Sequence, residues 1–140
     1  MKYAIKQLSI FIENRKGELT DITMILSTNK ISLKAINLVD TTEFGILRLL
    51  VDDTESTKRI LDDNGFSLTM TDVFAVLIDN HIGSFNEVLS ILSENDINIE
   101  YTYTINSSQN GAFIFKVSPD DIKKAIKLLS KSKVSLLEKI

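Results

Sequence analysis

The sequence contains no cysteine, which removes disulfides, thiolate metal sites and thiol nucleophiles together and fits a reducing compartment. Basic residues are also in short supply: 16 against 19 acidic ones, for a net charge of −3. Proteins that live on phosphate backbones carry a basic surplus, so nucleic acid is not an expected partner. The longest uninterrupted apolar run, residues 73–78, is six residues long, far below the ~20 needed for a helix to cross a bilayer. Near the N-terminus, Lys2 and Lys6 precede a run from Leu8 to Ile12 that is short, is broken by Ser9 and leads to no small-residue cleavage pattern, so no signal peptide is expected. There is one histidine, His81, in a chain without cysteine, and no cluster of carboxylates reads as a site. A metal centre, a cofactor and a convergent set of acid, base and nucleophile are therefore not expected. From these absences a soluble, cytoplasmic, non-catalytic protein without membrane contact is expected.

What is present is an ordinary globular composition, 44% hydrophobic and 25% charged over 140 residues, enough for one domain or two small ones. Leu8, Ile10 and Ile12 alternate with Gln7, Ser9 and Phe11, the period of a strand buried mainly on one side. From Leu19 the period becomes helical, with Leu19, Ile22, Ile25 and Leu26 on one face, ending at Asn29, a residue able to take the left-handed conformation. Ile31, Leu33 and Ala35 open a second strand, and the parity change at Ile36 and Leu38 predicts a bulge near Ala35. Asp40-Thr41-Thr42-Glu43 reads as a turn before a third strand over residues 46–51. Asp52 is placed to cap a helix over residues 54–64 that carries Ile60 and Leu61 inward and stops at Gly65, and residues 67–71 form a fourth strand.

Sixty-six positions later the same pattern returns. Ile12, Asn14, Gly17, Ile25-Leu26-Ser27, Asn29, Ile31, Gly45 and Val51 recur as Ile78, Asn80, Gly83, Ile91-Leu92-Ser93, Asn95, Ile97, Gly111 and Val117. The chain is thus two copies of one small unit, residues 1–71 and 72–140. The order strand, helix, strand, strand, helix, strand is the split βαβ arrangement of ferredoxin-like domains, an α+β fold with helices on one face of an antiparallel sheet. In the second copy Phe85, Val88, Leu89 and Leu92 make the first helix face. Ile97, Ile99, Tyr101, Tyr103 and Ile105 are expected on one face of its second strand. Ser118-Pro119 reads as the start of the last helix, whose inner face is Ile122, Ala125, Ile126 and Leu129. Lys123, Lys124, Lys127 and Lys131 fall on its solvent side. Phe113 and Phe115 have the spacing of base-stacking aromatics, but the first copy has Leu47 and Leu49 there, and core packing is the expected role.

The apolar strand followed by Asn14-Arg15-Lys16-Gly17-Glu18-Leu19, a helix and Asn29-Lys30-Ile31-Ser32-Leu33 resembles the ACT domain. Asn80-His81-Ile82-Gly83-Ser84-Phe85 and Asn95-Asp96-Ile97-Asn98-Ile99 resemble it again, so nearly the whole chain is covered. The family's turn commonly has proline before the glycine; here Lys16 and Ile82 stand in that place, leaving the turn less rigidly preset. The resemblance implies a regulatory module that binds a small ligand, usually an amino acid, at the interface of paired domains, with no catalysis of its own. A homodimer or a regulated metabolic enzyme is the partner it implies.

The strand-to-helix turns are the candidate site on physical grounds too. A helix N-terminus offers unpaired N–H groups and the positive end of a dipole to a carboxylate. The candidates are Arg15, Gly17, Glu18 and Leu19 in one copy and His81, Gly83, Ser84 and Phe85 in the other, with Asn14 and Asn80 as acceptors for a ligand ammonium group. The pairing implied by the resemblance adds Asn37 and Leu38 from one unit and Tyr103 and Thr104 from the other. The two turns are unequal: Glu18 competes for the field an anion would use, whereas Ser84 offers a hydroxyl, so the second copy is the better carboxylate site. The alternative is a protein-interaction or scaffold module that keeps the fold without a ligand.

Overall fold

The structure is a computed structural model that describes residues 1–40, 43–79, 81–106 and 111–140. Thr41, Thr42 and Asn80, which belong to the expected turn and site, lie outside the described residues. The chain divides into two compact units, Lys6–Thr71 and Asp72–Ile140, the latter together with Met1–Ile5.

In the first unit β1 (Ile5–Glu13) leads to α1 (Glu18–Thr28), β2 (Leu33–Asp40), β3 (Phe44–Val51), α2 (Thr54–Asp63) and the opening residues of β4 (Ser67–Leu77). β3 pairs antiparallel with β1 on one side and β2 on the other. Alternate residues of β1 and β3, namely Leu8, Ile10, Ile12, Leu47 and Leu49, meet Ile22 and Leu26 of α1 and Leu61 of α2 in one buried core. Leu68 and Met70 of β4 pack on the same core, as does Phe66 just before it. The other face of β1 is not simply solvent-facing: Gln7 is fully buried and Ser9 nearly so. Gln7 Nε2 donates to Ser9 Oγ at 3.3 Å, in keeping with the rule that buried polar groups find partners.

The second unit uses β4 from Asp72 onward, α3 (Ser84–Ser93), β5 (Ile99–Asn106), β6 (Gly111–Val117), α4 (Ile122–Ser130) and β7 (Leu136–Leu137). β6 lies between β4 and β5, and β7 pairs with β4 at Ala75 and Val76. Its core joins Phe74, Val76, Phe115 and Val117 of the strands to Val88 and Leu92 of α3 and to Ile122, Ala125, Ile126 and Leu129 of α4. Phe115 stacks on Phe74 at 5.5 Å and Phe113 meets Phe85 at 4.4 Å, so both phenylalanines of β6 pack inward.

Each unit's second strand carries a bulge at the same place. The β2–β3 register shifts between Leu33 and Ala35, leaving Lys34 extra, and the β5–β6 register shifts between Ile99 and Tyr101, leaving Glu100 extra. The first shift is the expected one. The second corrects the reading of β5: Ile99 pairs with Val117 on the helix-covered face, whereas Tyr101 and Tyr103 pair with Lys116 and Ile114 on the other face. A one-residue bulge reverses side-chain parity, so Ile99 and the tyrosines are on opposite sides.

Helix ends differ from the expectation in three places. α2 is capped by Asp53, whose carboxylate accepts from Ser56 N–H at 3.1 Å, while Asp52 Oδ1 accepts from Asp53 and Ser32 N–H. α4 begins at Ile122; Ser118 and Pro119 sit in the turn before it, where Ser118 Oγ accepts from Asp120 N–H. After α1 and α3 the left-handed residues are Lys30 (φ 56°) and Asp96 (φ 59°), one beyond the asparagines. Asn29 and Asn95 instead donate their side-chain amides to the carbonyls of Ile25 and Ile91. Short polar side chains thereby satisfy the acceptors a helix leaves open at its C-terminus.

Candidate functional site

The turn from β4 into α3 is shaped by Gly83, whose φ of 91° lies in the left-handed region. Glycine adopts that conformation without the steric cost a side chain imposes, and Gly17 does the same before α1 at φ 89°. Beside the second turn is a cleft of about 570 Å³, bounded by the end of β4, the first turns of α3, Phe113 of β6 and the segment Lys133, Val134 and Ser135.

His81 dominates the mouth of this cleft. Its Nδ1 is 3.1 Å from Asp79 Oδ2 and its Nε2 is 3.1 Å from Glu87 Oε1. With a carboxylate at each ring nitrogen the protonated form is favoured, and the imidazole pKa is raised above its ordinary value, first by the hydrogen bond to Glu87 and then by Asp79. The Ser84 hydroxyl donates to the Asp79 carbonyl at 2.7 Å. Its proton is thereby engaged within the chain, which leaves the oxygen as an acceptor rather than the donor anticipated for it.

The first unit has a cleft of about 570 Å³ at the equivalent place. Glu13, Arg15, Glu18 and Asp21 line it, each 66 positions before Asp79, His81, Ser84 and Glu87. Arg15 Nε bonds Glu18 Oε2 at 2.7 Å and approaches Glu13 Oε2 at 3.6 Å. Glu18 is the first residue of α1, and its side chain is only 10% exposed. A carboxylate there complements the helix dipole, so the chain's own anion occupies the end of α1. The asymmetry expected of the two turns takes this form: an arginine that never titrates beside one, and a histidine that does beside the other.

The remaining candidates divide. Leu19 packs its side chain on the first core, and Phe85 packs among Phe113 and Phe115, so each can contribute only backbone to its turn. Asn14 is exposed, with its N–H donating to the Glu43 carbonyl at 3.0 Å. Asn37 Oδ1 accepts from Arg48 Nη1 at 3.2 Å. Leu38 is 47% exposed on β2, and Tyr103 and Thr104 lie on β5 opposite Ile114 and Phe113. None of Asn37, Leu38, Tyr103 and Thr104 lines either cleft. The sequence reading missed Asp79, Glu87, Phe113 and Lys133. The signal for the first two was a pair of carboxylates at spacings of two and six residues around the lone histidine; Phe113 and Lys133 are distant in sequence and carried none.

Among the described residues no group of three or more His, Asp or Glu is placed to hold a metal ion, and no helix is long and apolar enough to cross a membrane.

Comparison with known proteins matches these features. No curated protein matches the chain. A protein of Bacteroides thetaiotaomicron of known crystal structure is 36% identical, with a TM-score of 0.88 over 96% of this chain and 92% of that one. The ligand-free regulatory subunit of aspartate kinase from Thermus thermophilus is 12% identical, with a TM-score of 0.65 over 92% and 93% of the two chains. The corresponding subunit from Thermus flavus is 10% identical, with a TM-score of 0.62 over 90% of each chain. At such identities the two subunits share the fold with this chain and no more than that. The ACT domain pair matches residues 3–139, and the chain, built of two βαββαβ units with a glycine-capped turn before the first helix of each, belongs to that family.

Proposed function

We propose that the chain is a non-catalytic sensor that binds a free amino acid in the cleft of the second unit and thereby regulates a partner enzyme or its own assembly. The observation that carries this reading is the cleft itself, where the N-terminus of α3 lies beside His81, Asp79 and Glu87. A zwitterion needs donors and a positive field for its carboxylate and acceptors for its ammonium group. The N–H groups of the first helical turn supply the donors, the helix dipole and the His81 imidazole, which its flanking carboxylates bias towards the protonated form, supply the positive field, and Asp79 and Glu87 meet the second need. His81, Gly83, Ser84 and the backbone of Phe85 are accordingly the proposed binding residues, with Asn80 of the same turn as a further acceptor. Membership of the ACT domain-pair family supports a regulatory role.

In the first unit the seat at the helix N-terminus is taken by Glu18, which favours a structural role for that copy. Asn14, Arg15, Gly17 and Leu19 then shape a turn rather than hold a ligand.

A thermal-shift series over the twenty amino acids tests the proposal. A ligand at one hundred times its Kd adds about 2.7 kcal/mol to the folded state, worth several degrees for a chain of this size. If no amino acid moves the melting temperature at millimolar concentration, the sensor reading fails and the ligand-free interaction module replaces it.

A further inference from the structure

The second unit's cleft sorts its polarity by depth. At its base, Val76 and Val88 are 2% and 3% exposed, and half-buried Phe113 and Val134 stand on its walls. The charged groups are all at the mouth: Asp79 and Glu87 have side chains 72% and 63% exposed, His81 is 50% exposed, and Lys133 is exposed. The Ser84 hydroxyl proton is held by the Asp79 carbonyl, and Ser135, the other hydroxyl on the lining, is exposed like the charged groups.

Building on the reading of this cleft as an amino-acid site, we propose that its ligand has an apolar side chain, of valine to phenylalanine size, lying against Phe113, Val134 and Val76. The ammonium and carboxylate groups remain at the charged mouth, where water and the ionised side chains keep them solvated. A hydroxyl, carboxylate or ammonium group carried to the base would lose its water and meet only hydrocarbon, the situation in which burying a polar group is unfavourable. Carboxylates that would pair with a basic side chain are at the wrong depth, because Asp79 and Glu87, 72% and 63% exposed, stand at the mouth beside the ligand's ammonium group. The volume of the cleft lies within the range of about 300–1,000 Å³ usual for small-molecule sites.

Isothermal titration of the intact protein with valine, leucine, isoleucine, methionine and phenylalanine, and with threonine, serine, aspartate and lysine, tests the assignment. Threonine is close to an isostere of valine, and a hydrophobic site distinguishes such a pair by about tenfold to a hundredfold. The expected result is that valine binds at least about tenfold more tightly than threonine, with aspartate and lysine weaker still. If threonine, serine, aspartate or lysine binds as tightly as the apolar set, the side-chain class is wrong while the sensor reading stands. If none of the nine binds while another of the twenty amino acids raises the melting temperature, the side-chain class is wrong and the sensor reading stands; if none of the twenty does either, both fall. The placement has its own readouts. Val134→Thr should weaken the bound apolar amino acid several-fold, and nuclear Overhauser contacts in the unsubstituted protein should link the ligand's methyl or ring protons to the Phe113 ring. Contacts to other aromatic rings, with Phe113 silent, would overturn the placement even if the variant fails to fold.

Discussion

The Nε2 of His81 lies 3.1 Å from the Glu87 carboxylate, and this relationship makes the second unit sensitive to pH. The imidazole pKa is raised from 6.5, so the pairing contributes stability that is fully present below pH 6.5 and is lost as pH rises through the raised folded value. The melting-temperature difference between the protein and a His81→Gln variant should therefore be largest near pH 6 and shrink towards pH 9. A difference that stays constant over that interval would remove the ion pairs from the account.

Gly83 is expected to resist substitution for a backbone reason alone. Its φ is 91°, and a Cβ added there would meet nothing within 4 Å. Gly83→Ala should cost about 1–2 kcal/mol from the left-handed conformation, with a similar cost for Gly17→Ala, both read from urea unfolding. A neutral result would mean that the turn relaxes to another conformation.

Within α2, neighbouring aliphatic residues should differ sharply. Leu61 is fully buried while Ile60 is only partly covered. Leu61→Ala should cost about 2–5 kcal/mol, and Ile60→Ala clearly less, as midpoints of chemical denaturation would reveal.

Removal of the extra strand residue gives a different kind of test. Deleting Glu100 would force Ile99 and Tyr101 into continuous pairing with β6 and invert one flank of β5 relative to the core. Loss of cooperative unfolding by circular dichroism is the expected outcome; a deletion variant that unfolds like the parent would show that the bulge is dispensable.

Asp53 supplies the corresponding acid-side prediction. Hydrogen bonds from Ser56, chiefly its backbone N–H, lower the carboxyl pKa below 3.8. The contribution is present above pH 3.8 and lost as pH falls through the lowered folded value. Asp53→Asn keeps a capping oxygen but should flatten the acid limb of the stability profile, which thermal melts between pH 5 and pH 2 would detect.

Local periodicity makes most of the fold legible in the sequence. Leu8, Ile10 and Ile12 announce a strand, Ile22 and Leu26 a helix face, and the parity change at Ile36 a bulge, because each depends on residues a few positions apart. The matching bulge at Glu100 is hidden because Ile99, Tyr101, Tyr103 and Ile105 are all apolar or aromatic, so alternation continues in the sequence while reversing in space. The site is half legible. Gly83 and His81 are marked by the repeat, but Phe113 and Lys133 join the cleft from 30 and 50 residues beyond Gly83, a distance over which only the assembled sheet and helices bring chain segments together.

His81 is the only histidine in the sequence, and it stands at the mouth of the proposed ligand cleft. Its ring protons therefore form an isolated, self-assigning signal in a one-dimensional proton spectrum of the untagged protein. A titration of that signal reports on the cleft directly, without isotope labels and without any change to the chain.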